Sequence, residues 1–322
     1  MTEKENGVII LRVIKLRLNE VYEMNRIKLN EDLSFSQIIS GMWRLDSWDF
    51  TTEDLTKFVE QSMELGITTF DHADIYGSYT CEEIFGRVLK EKPSLRDNME
   101  LVTKCGIALP SAKFPEHTRA HYNTTKEHII RSAENSLQNL QTDVIDVLLI
   151  HRPDPLMNPQ DVAEAFSQLK SEGKVRHFGV SNFTVPQLNM LQAYLDEPLI
   201  TNQIEASPLC LEHFQNGVIE WMFEKQIKPM IWSPLAGGRL FTNTDEQAVR
   251  VREVMGEIAS KHQIEIDTLA YAWLLKHPIN MMPIVGTGNI ERVKSAVQSL
   301  DVTITREEWY EIFVAAQGHP LP

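Results

Sequence analysis

A short apolar run followed by a run of helical periodicity recurs about eight times along this chain, and that recurrence restricts the fold more than any other feature. Residues 38–40 form an apolar strand before Gly41, and residues 54–65 place Leu55, Phe58, Val59 and Met63 at helical spacing. The pattern repeats as residues 68–70 and 82–90, then as 99–103 and the long amphipathic stretch 125–140, capped by Thr124 or Thr125. Strand 144–150 precedes helix 161–172, which stops at Gly173; strand 175–180 precedes helix 185–194, and strand 199–204 precedes helix 218–225. Strand 229–232 leads into helices 245–262 and 268–276, strand 281–285 into helix 290–300, and helix 306–316 closes the pattern.

These alternations predict an α/β fold, a (β/α)8 TIM barrel with extra C-terminal helices. Residues 27–29, with the segment before Gly41, are expected to supply an N-terminal β-hairpin closing the barrel floor. The competing doubly wound sheet normally shows Gly-x-Gly-x-x-Gly after its first strand. Here Gly286 and Gly288 have the first spacing, but Glu291 stands where the third glycine belongs, and the pair follows the last strand. No Pro-rich, Ser-rich or low-complexity linker divides residues 24–322, which predicts a single domain. Residues 1–23 start with Glu3, Lys4 and Glu5 and then alternate aliphatic and basic residues, without the layout of a secretory signal. They read as a vector leader, an upstream false start or an extra strand, and no function is assigned to them.

Thirty-one basic residues against 45 acidic ones give a net charge of −14, which argues against a nucleic-acid partner because phosphate neutralisation needs clustered Lys and Arg. The apolar runs, such as 147–150, fall far short of the roughly 18–20 residues that cross a bilayer, so no membrane partner is expected. Three cysteines, Cys81, Cys105 and Cys210, are too few and too scattered for a disulfide framework and suit a reducing, cytoplasmic setting.

Reactive side chains fall at strand ends. Asp71 ends the second strand, Lys104 the third, His151 the fourth, Asn182 the fifth, Gln203 the sixth and Trp232 the seventh. In a barrel the carboxyl ends share one face, so these distant residues are expected to converge on a single mouth.

Five motifs in order then resemble the aldo-keto reductases. Phe70, Asp71, His72, Ala73, Asp74, Ile75, Tyr76 and Gly77, with Glu82 or Glu83 and Gly86, are similar to the first signature, which normally reads Asp-Thr-Ala and then Tyr-Gly. Asp143 to His151, Gly179 to Phe183, and Asn202 to Glu205 with Pro208 resemble the next three, and Ser233, Pro234, Leu235, Gly237 and Gly238 the cofactor loop. The resemblance runs from about Asn25 to the carboxyl terminus and, within the superfamily, is to the bacterial YdhF-like oxidoreductases.

The resemblance implies reduction of a small aldehyde or ketone by a nicotinamide cofactor. Asp71, Tyr76, Lys104 and His151 then occupy the catalytic positions. Tyr76 is the general acid in reduction and the base in the reverse direction. A free phenol has a pKa near 10, which the Lys104 ammonium is expected to lower, with Asp71 keeping that ammonium charged and His151 orienting the substrate oxygen. Ser181, Asn182 and Gln203 have the donors and acceptors to bond a carboxamide, and Trp232 offers a ring against which a nicotinamide stacks. Ser233 to Arg239 would underlie the pyrophosphate, Gly237 and Gly238 allowing close backbone approach, and Gly41, Met42 and Trp43 lie on the cofactor side of the first strand. Arg292 occupies the position that binds the 2′-phosphate of NADPH, assisted by Thr287. Gly286 replaces the lysine often found there, so NADPH is expected, with NADH as the alternative. His72 and Met42 stand where threonine is usual, which implies altered tuning.

Trp43, Tyr76, His151 and the loop 107–122 would wall a pocket for a small-molecule carbonyl. His117 and His121 have the spacing of helical metal ligands, but Pro115 and the polar setting make this a loop without a third ligand, so no metal is expected. A monomer is expected by the same resemblance. Two other functions compete: a nicotinamide-binding regulatory subunit, and a Schiff-base aldolase with Lys104 as nucleophile.

Overall fold

The computed structural model describes residues 25–322, so the expectation for residues 1–23 lies outside the described residues. The strands, in chain order, begin with Arg26–Lys28 (β1) and Ser34–Ser36 (β2), an antiparallel hairpin in which Ile27 faces Phe35. Ile39–Gly41 (β3), Thr69–Asp71 (β4) and Glu100–Cys105 (β5) follow, and then a small antiparallel ribbon of Ile107–Ala108 (β6) and His121–Tyr122 (β7). Ile145–Ile150 (β8), Val175–Ser181 (β9), Asn202–Glu205 (β10), Met230–Trp232 (β11) and Met282–Val285 (β12) complete the set. Strands β3, β4, β5, β8, β9, β10, β11 and β12 close in that order into a barrel, and every neighbouring pair is parallel.

The surrounding helices are Thr52–Glu64 (α1), Cys81–Glu91 (α2), Lys126–Leu140 (α3), Pro159–Ser171 (α4), Val185–Gln192 (α5), Val218–Glu224 (α6), Arg239–Thr242 (α7), Glu246–His262 (α8), Ile266–Leu275 (α9), Ile290–Gln298 (α10) and Arg306–Gln317 (α11). Side chains start them: Thr51 and Asp54 form a capping box on α1, Thr125 accepts the His128 N–H on α3, and Thr305 and Glu308 form a box on α11. Thr125, not Thr124, is therefore the cap. The C-terminal α11 is tied to α8 because the Glu308 carboxylate takes Lys261 at 2.7 Å and His262 at 3.0 Å.

Ile39, Val102, Val147, Leu149, Met230, Met282 and Ile284 fill the barrel, and Ile27, Leu33 and Phe35 of the hairpin join the same cluster from below. The hairpin differs from expectation in one respect. Residues 26–28 pair with Ser34–Ser36, whereas the segment before Gly41 is itself a barrel strand, held between Ile284 and Phe70 on its two sides. The Asn30 side chain makes the tight turn possible by accepting the N–H groups of Asp32 and Leu33.

Candidate active site

Lys104 lies on the inward face of β5 with its side chain fully buried. Its Nζ donates to Asp71 at 2.9 and 2.8 Å, to the His72 carbonyl at 2.7 Å and to the Tyr76 hydroxyl oxygen at 3.1 Å. Asp71 arrives from β4 in register with Val102, and its Oδ1 also accepts Gln203 Nε2 at 2.8 Å from across the barrel. The turn after β4 brings Tyr76 back over the mouth. Gly77, Ser78 and Tyr79 take three successive positive φ angles of 57°, 53° and 71°, and a Cβ on Gly77 would lie under 3.0 Å from Cys81, Thr80 and Asp46. The Tyr76 and His151 rings then meet edge to face, 5.9 Å between centroids.

The electrostatics correct one expectation. Burial raises the Tyr76 pKa, Lys104 pulls it down and Asp71 pushes it up, and the result stands above the ordinary phenol value. Expected lowering is absent because the ammonium that would favour phenolate is itself neutralised by Asp71, while desolvation acts on the phenol in full. Burial also opposes charge on Lys104, but Asp71 and Tyr76 outweigh it, and its pKa is raised. Burial, then Lys104 and Arg152, hold His151 well below its usual value, so its imidazole is neutral near pH 7; its buried Nδ1 has no partner among the described residues.

The ambiguity over Glu82 and Glu83 resolves by burial. Glu82 is buried and accepts Thr103 Oγ1 at 2.6 Å, whereas Glu83 is exposed and pairs with Lys113. Gly86 faces the Asn139 carbonyl so closely that a Cβ would collide with it, which lets α2 and α3 touch. His72 is buried edge-on to Phe85 with neither ring nitrogen bonded among the described residues, and burial followed by Lys104 lowers its pKa to about 3.

The residues expected around a cofactor gather on the other side of the mouth. Asn182, with φ of 63°, donates to Ser181 Oγ at 2.7 Å and accepts Trp232 Nε1 at 2.9 Å, and Ser181 Oγ donates to the Gln203 carbonyl at 2.9 Å. Ser233, Ala236, Gly237 and Gly238 all have positive φ, in the segment that carries Pro234 and Leu235 and leads into α7 at Arg239. Open space lies beside Gly237, Gly238 and Gly286, whereas Gly41 is packed against Ile284. Met42 is buried, Trp43 is 56% exposed with Arg44 over its ring, and Arg292 is exposed in the first turn of α10. The Thr287 hydroxyl accepts the Asn289 N–H at 3.2 Å, which shapes the loop into α10.

Two neighbours at this rim had no role assigned to them from the sequence. The Arg152 guanidinium sits over Trp232 at 5.5 Å, and Glu205 pairs in register with Trp232 at the same rim. Burial raises the Glu205 pKa against the pull of Arg239 and Arg152. Strand periodicity carried a signal for Glu205, two residues beyond Gln203 and so on the same face. His117 and His121 lie at the loop and ribbon with rings 5.7 Å apart, and among the described residues no three ligand-type side chains cluster for a metal.

The aldo/keto reductase family profile matches residues 37–315. The chain belongs to that family. It is 52% identical to the uncharacterized oxidoreductase YcsN of Bacillus subtilis over 93% of this chain and 100% of the relative, and 46% identical to the oxidoreductase YdhF of Escherichia coli over 89% and 96%. It is 42% identical to a 6-dehydroglucose reductase of Agrobacterium fabrum over 92% and 99%. The fold also matches the crystal structure of the thermostable aldo-keto reductase Tm1743 in complex with the inhibitor epalrestat, with a TM-score of 0.77 at 24% identity over 91% of this chain and all of that one. Like its aldo/keto reductase relatives, the protein is an oxidoreductase, and three of the four candidate side chains, Asp71, Lys104 and Tyr76, sit within one hydrogen-bonded group at the barrel mouth, while His151 meets Tyr76 ring to ring.

Proposed function

We propose that the protein is an NADPH-dependent reductase of a small aldehyde or ketone, with Tyr76 as the general acid. The observation that carries this reading is the 3.1 Å contact between Tyr76 Oη and Lys104 Nζ. The residues around the mouth fit a nicotinamide dinucleotide: a half-buried Trp232 ring, a run of strained backbone positions, and open space at three glycines where a Cβ meets nothing. Trp232, Ser181, Asn182 and Gln203 would hold the nicotinamide, Ser233 to Arg239 the pyrophosphate, and Arg292 with Thr287 the 2′-phosphate. When bound, the dinucleotide would supply a hydride, one proton with two electrons, to the carbonyl carbon.

This chain's own residues handle the proton. Tyr76, kept protonated by its raised pKa, donates to the carbonyl oxygen as it becomes an alkoxide, a much stronger base than phenolate. The phenolate left behind faces the Lys104 ammonium, whose charge Asp71 maintains. His151, neutral at pH 7, has a donor for the same carbonyl oxygen and fixes its direction. The aldolase reading is weaker, because a nucleophilic amine needs a free lone pair, and Lys104 instead has a raised pKa and three kinds of acceptor around it.

The test is the loss of NADPH absorbance with a panel of aldehydes and ketones, including 6-dehydroglucose in view of the Agrobacterium relative. Native protein turns over at least one of them, and Tyr76→Phe binds NADPH while losing about 10²–10⁴ in turnover. Equal turnover in the variant refutes Tyr76 as the acid, and NADPH binding without any turnover favours a regulatory subunit.

A further inference from the structure

Among the described residues, the half-buried arginines are Arg96, Arg152, Arg250 and Arg252. Arg96 pairs with Asp146 and donates to the Val144 carbonyl, Arg250 donates to the Ala315 carbonyl, and Arg252 to the carbonyls of Leu240 and Asn243. Arg152 differs. Its guanidinium makes no hydrogen bond or ion pair among the described residues and rests instead over the Trp232 ring, 5.5 Å from the centroid. A guanidinium keeps its charge at any ordinary pH and carries its donors in a rigid fork that matches a carboxylate. The ring beneath holds that fork in place while its donors stay open to a ligand.

Its place in the fold says which ligand. Arg152 directly follows His151 at the carboxyl end of β8, and Trp232 ends β11, so the fork stands at the same mouth as Tyr76 and Lys104. Stacking over one face of Trp232 leaves the other face for a nicotinamide. The charges around it do not cancel. Lys104 is matched by Asp71. Asp154, two residues beyond Arg152, is engaged in its own loop, where its carboxylate accepts the Thr124 hydroxyl at 2.9 Å and the Leu156 N–H at 2.8 Å. Glu205 is half-buried at the same rim without an ion pair among the described residues, and two cations act on it, Arg239 before Arg152. One carboxylate against two guanidinium groups leaves a positive charge unanswered, in a chain whose net charge is −14.

We propose that Arg152 determines specificity and that the substrate is an oxo acid, whose carboxylate takes the Arg152 fork while its carbonyl oxygen meets Tyr76 and His151. The proposal rests on the reductase reading and narrows its substrate class. A bidentate bond between guanidinium and carboxylate is charge-assisted and directional, so it both tightens binding and sets which end of the molecule reaches Tyr76. A single unanswered charge suits a carboxylate better than a doubly charged phosphate.

The experiment compares kcat and KM, with NADPH, for free acids and their uncharged methyl esters: 4-oxobutanoate, 3-carboxybenzaldehyde and 4-carboxybenzaldehyde, each against its ester. Native protein should prefer at least one acid by about 10- to 100-fold in kcat/KM, mostly through KM. Arg152→Gln should bring that ratio close to one, and Arg152→Lys, which keeps the charge without the fork, should retain part of it. Because Arg152 bonds no group among the described residues, neither substitution strands a partner, and both variants keep the fold. Equal kcat/KM for acid and ester in the native protein, or a preference that survives in Arg152→Gln, overturns the inference and leaves the reductase reading standing. A preference for glyceraldehyde 3-phosphate over glyceraldehyde, with none for the oxo acids, overturns the carboxylate assignment. Turnover of neither acid nor ester nor any other carbonyl overturns the reductase reading, and this inference with it.

Discussion

Tyr76 Oη lies 3.1 Å from Lys104 Nζ, and still the phenol holds its proton more tightly than a free tyrosine does. Desolvation exceeds the ammonium's pull, so the pair keeps a loaded acid in place rather than a ready base. For the reductive direction, a general acid is active below its pKa and lost as pH rises through it. The kcat/KM for carbonyl reduction, which reports the free enzyme, should therefore stay level up to about pH 10 and fall only above it. A decline centred near neutral pH would contradict the raised value.

Lys104→Met should damage stability as well as turnover. It leaves Asp71 buried without its cation, a loss worth about 3–5 kcal/mol. Tyr76→Phe removes a hydroxyl but no charge and should cost far less. Urea unfolding of the two variants separates these roles, and equal midpoints would mean that Asp71 is satisfied by Gln203 alone.

His72 makes the fold acid-sensitive. Its pKa is about 3 in the folded protein against an ordinary 6.5, so between these values the unfolded chain binds the extra proton. Stability must then rise with pH across that window and fall by about 1.4 kcal/mol per pH unit below 6.5 for this one group. In His72→Thr, denaturant midpoints measured from pH 7 to pH 4 should show a slope shallower by one proton. An unchanged slope would mean that the ring gains a partner on protonation.

The hairpin plug is the mechanical test. Phe35 is fully buried at the barrel floor, and Phe35→Ala should cost about 3–5 kcal/mol in chemical denaturation. Turnover at temperatures where the variant stays folded should be little changed, since no reacting group touches the hairpin.

Arg292→Ala tests the cofactor reading. A charged bond to a phosphate contributes about 1.5–3 kcal/mol, so the KM for NADPH should rise by about 10- to 100-fold while that for NADH stays nearly constant. A parallel rise for both would assign Arg292 to loop structure.

The barrel was legible because buried parallel strands read as largely apolar runs: all six residues of Ile145–Ile150 are buried, and five of them are apolar. The site was legible for a related reason. Asp71 and Lys104 are charges at the ends of such runs, where only a mouth accommodates them. Ser34–Ser36 was missed as the hairpin partner because its only apolar residue is Phe35, and one residue makes no run. The direction of the Tyr76 shift was also out of reach, since it is a small difference between burial and a charge that a second charge offsets. Arg152 over Trp232 depends on where the chain turns after β8, which periodicity does not encode.

With Phe35 stoppering its lower end and Ile39, Val147 and Met282 among the side chains packed above it, the cylinder is solid through its middle and leaves its upper rim for chemistry. Any reaction there that needs two molecules brings both of them to that same rim.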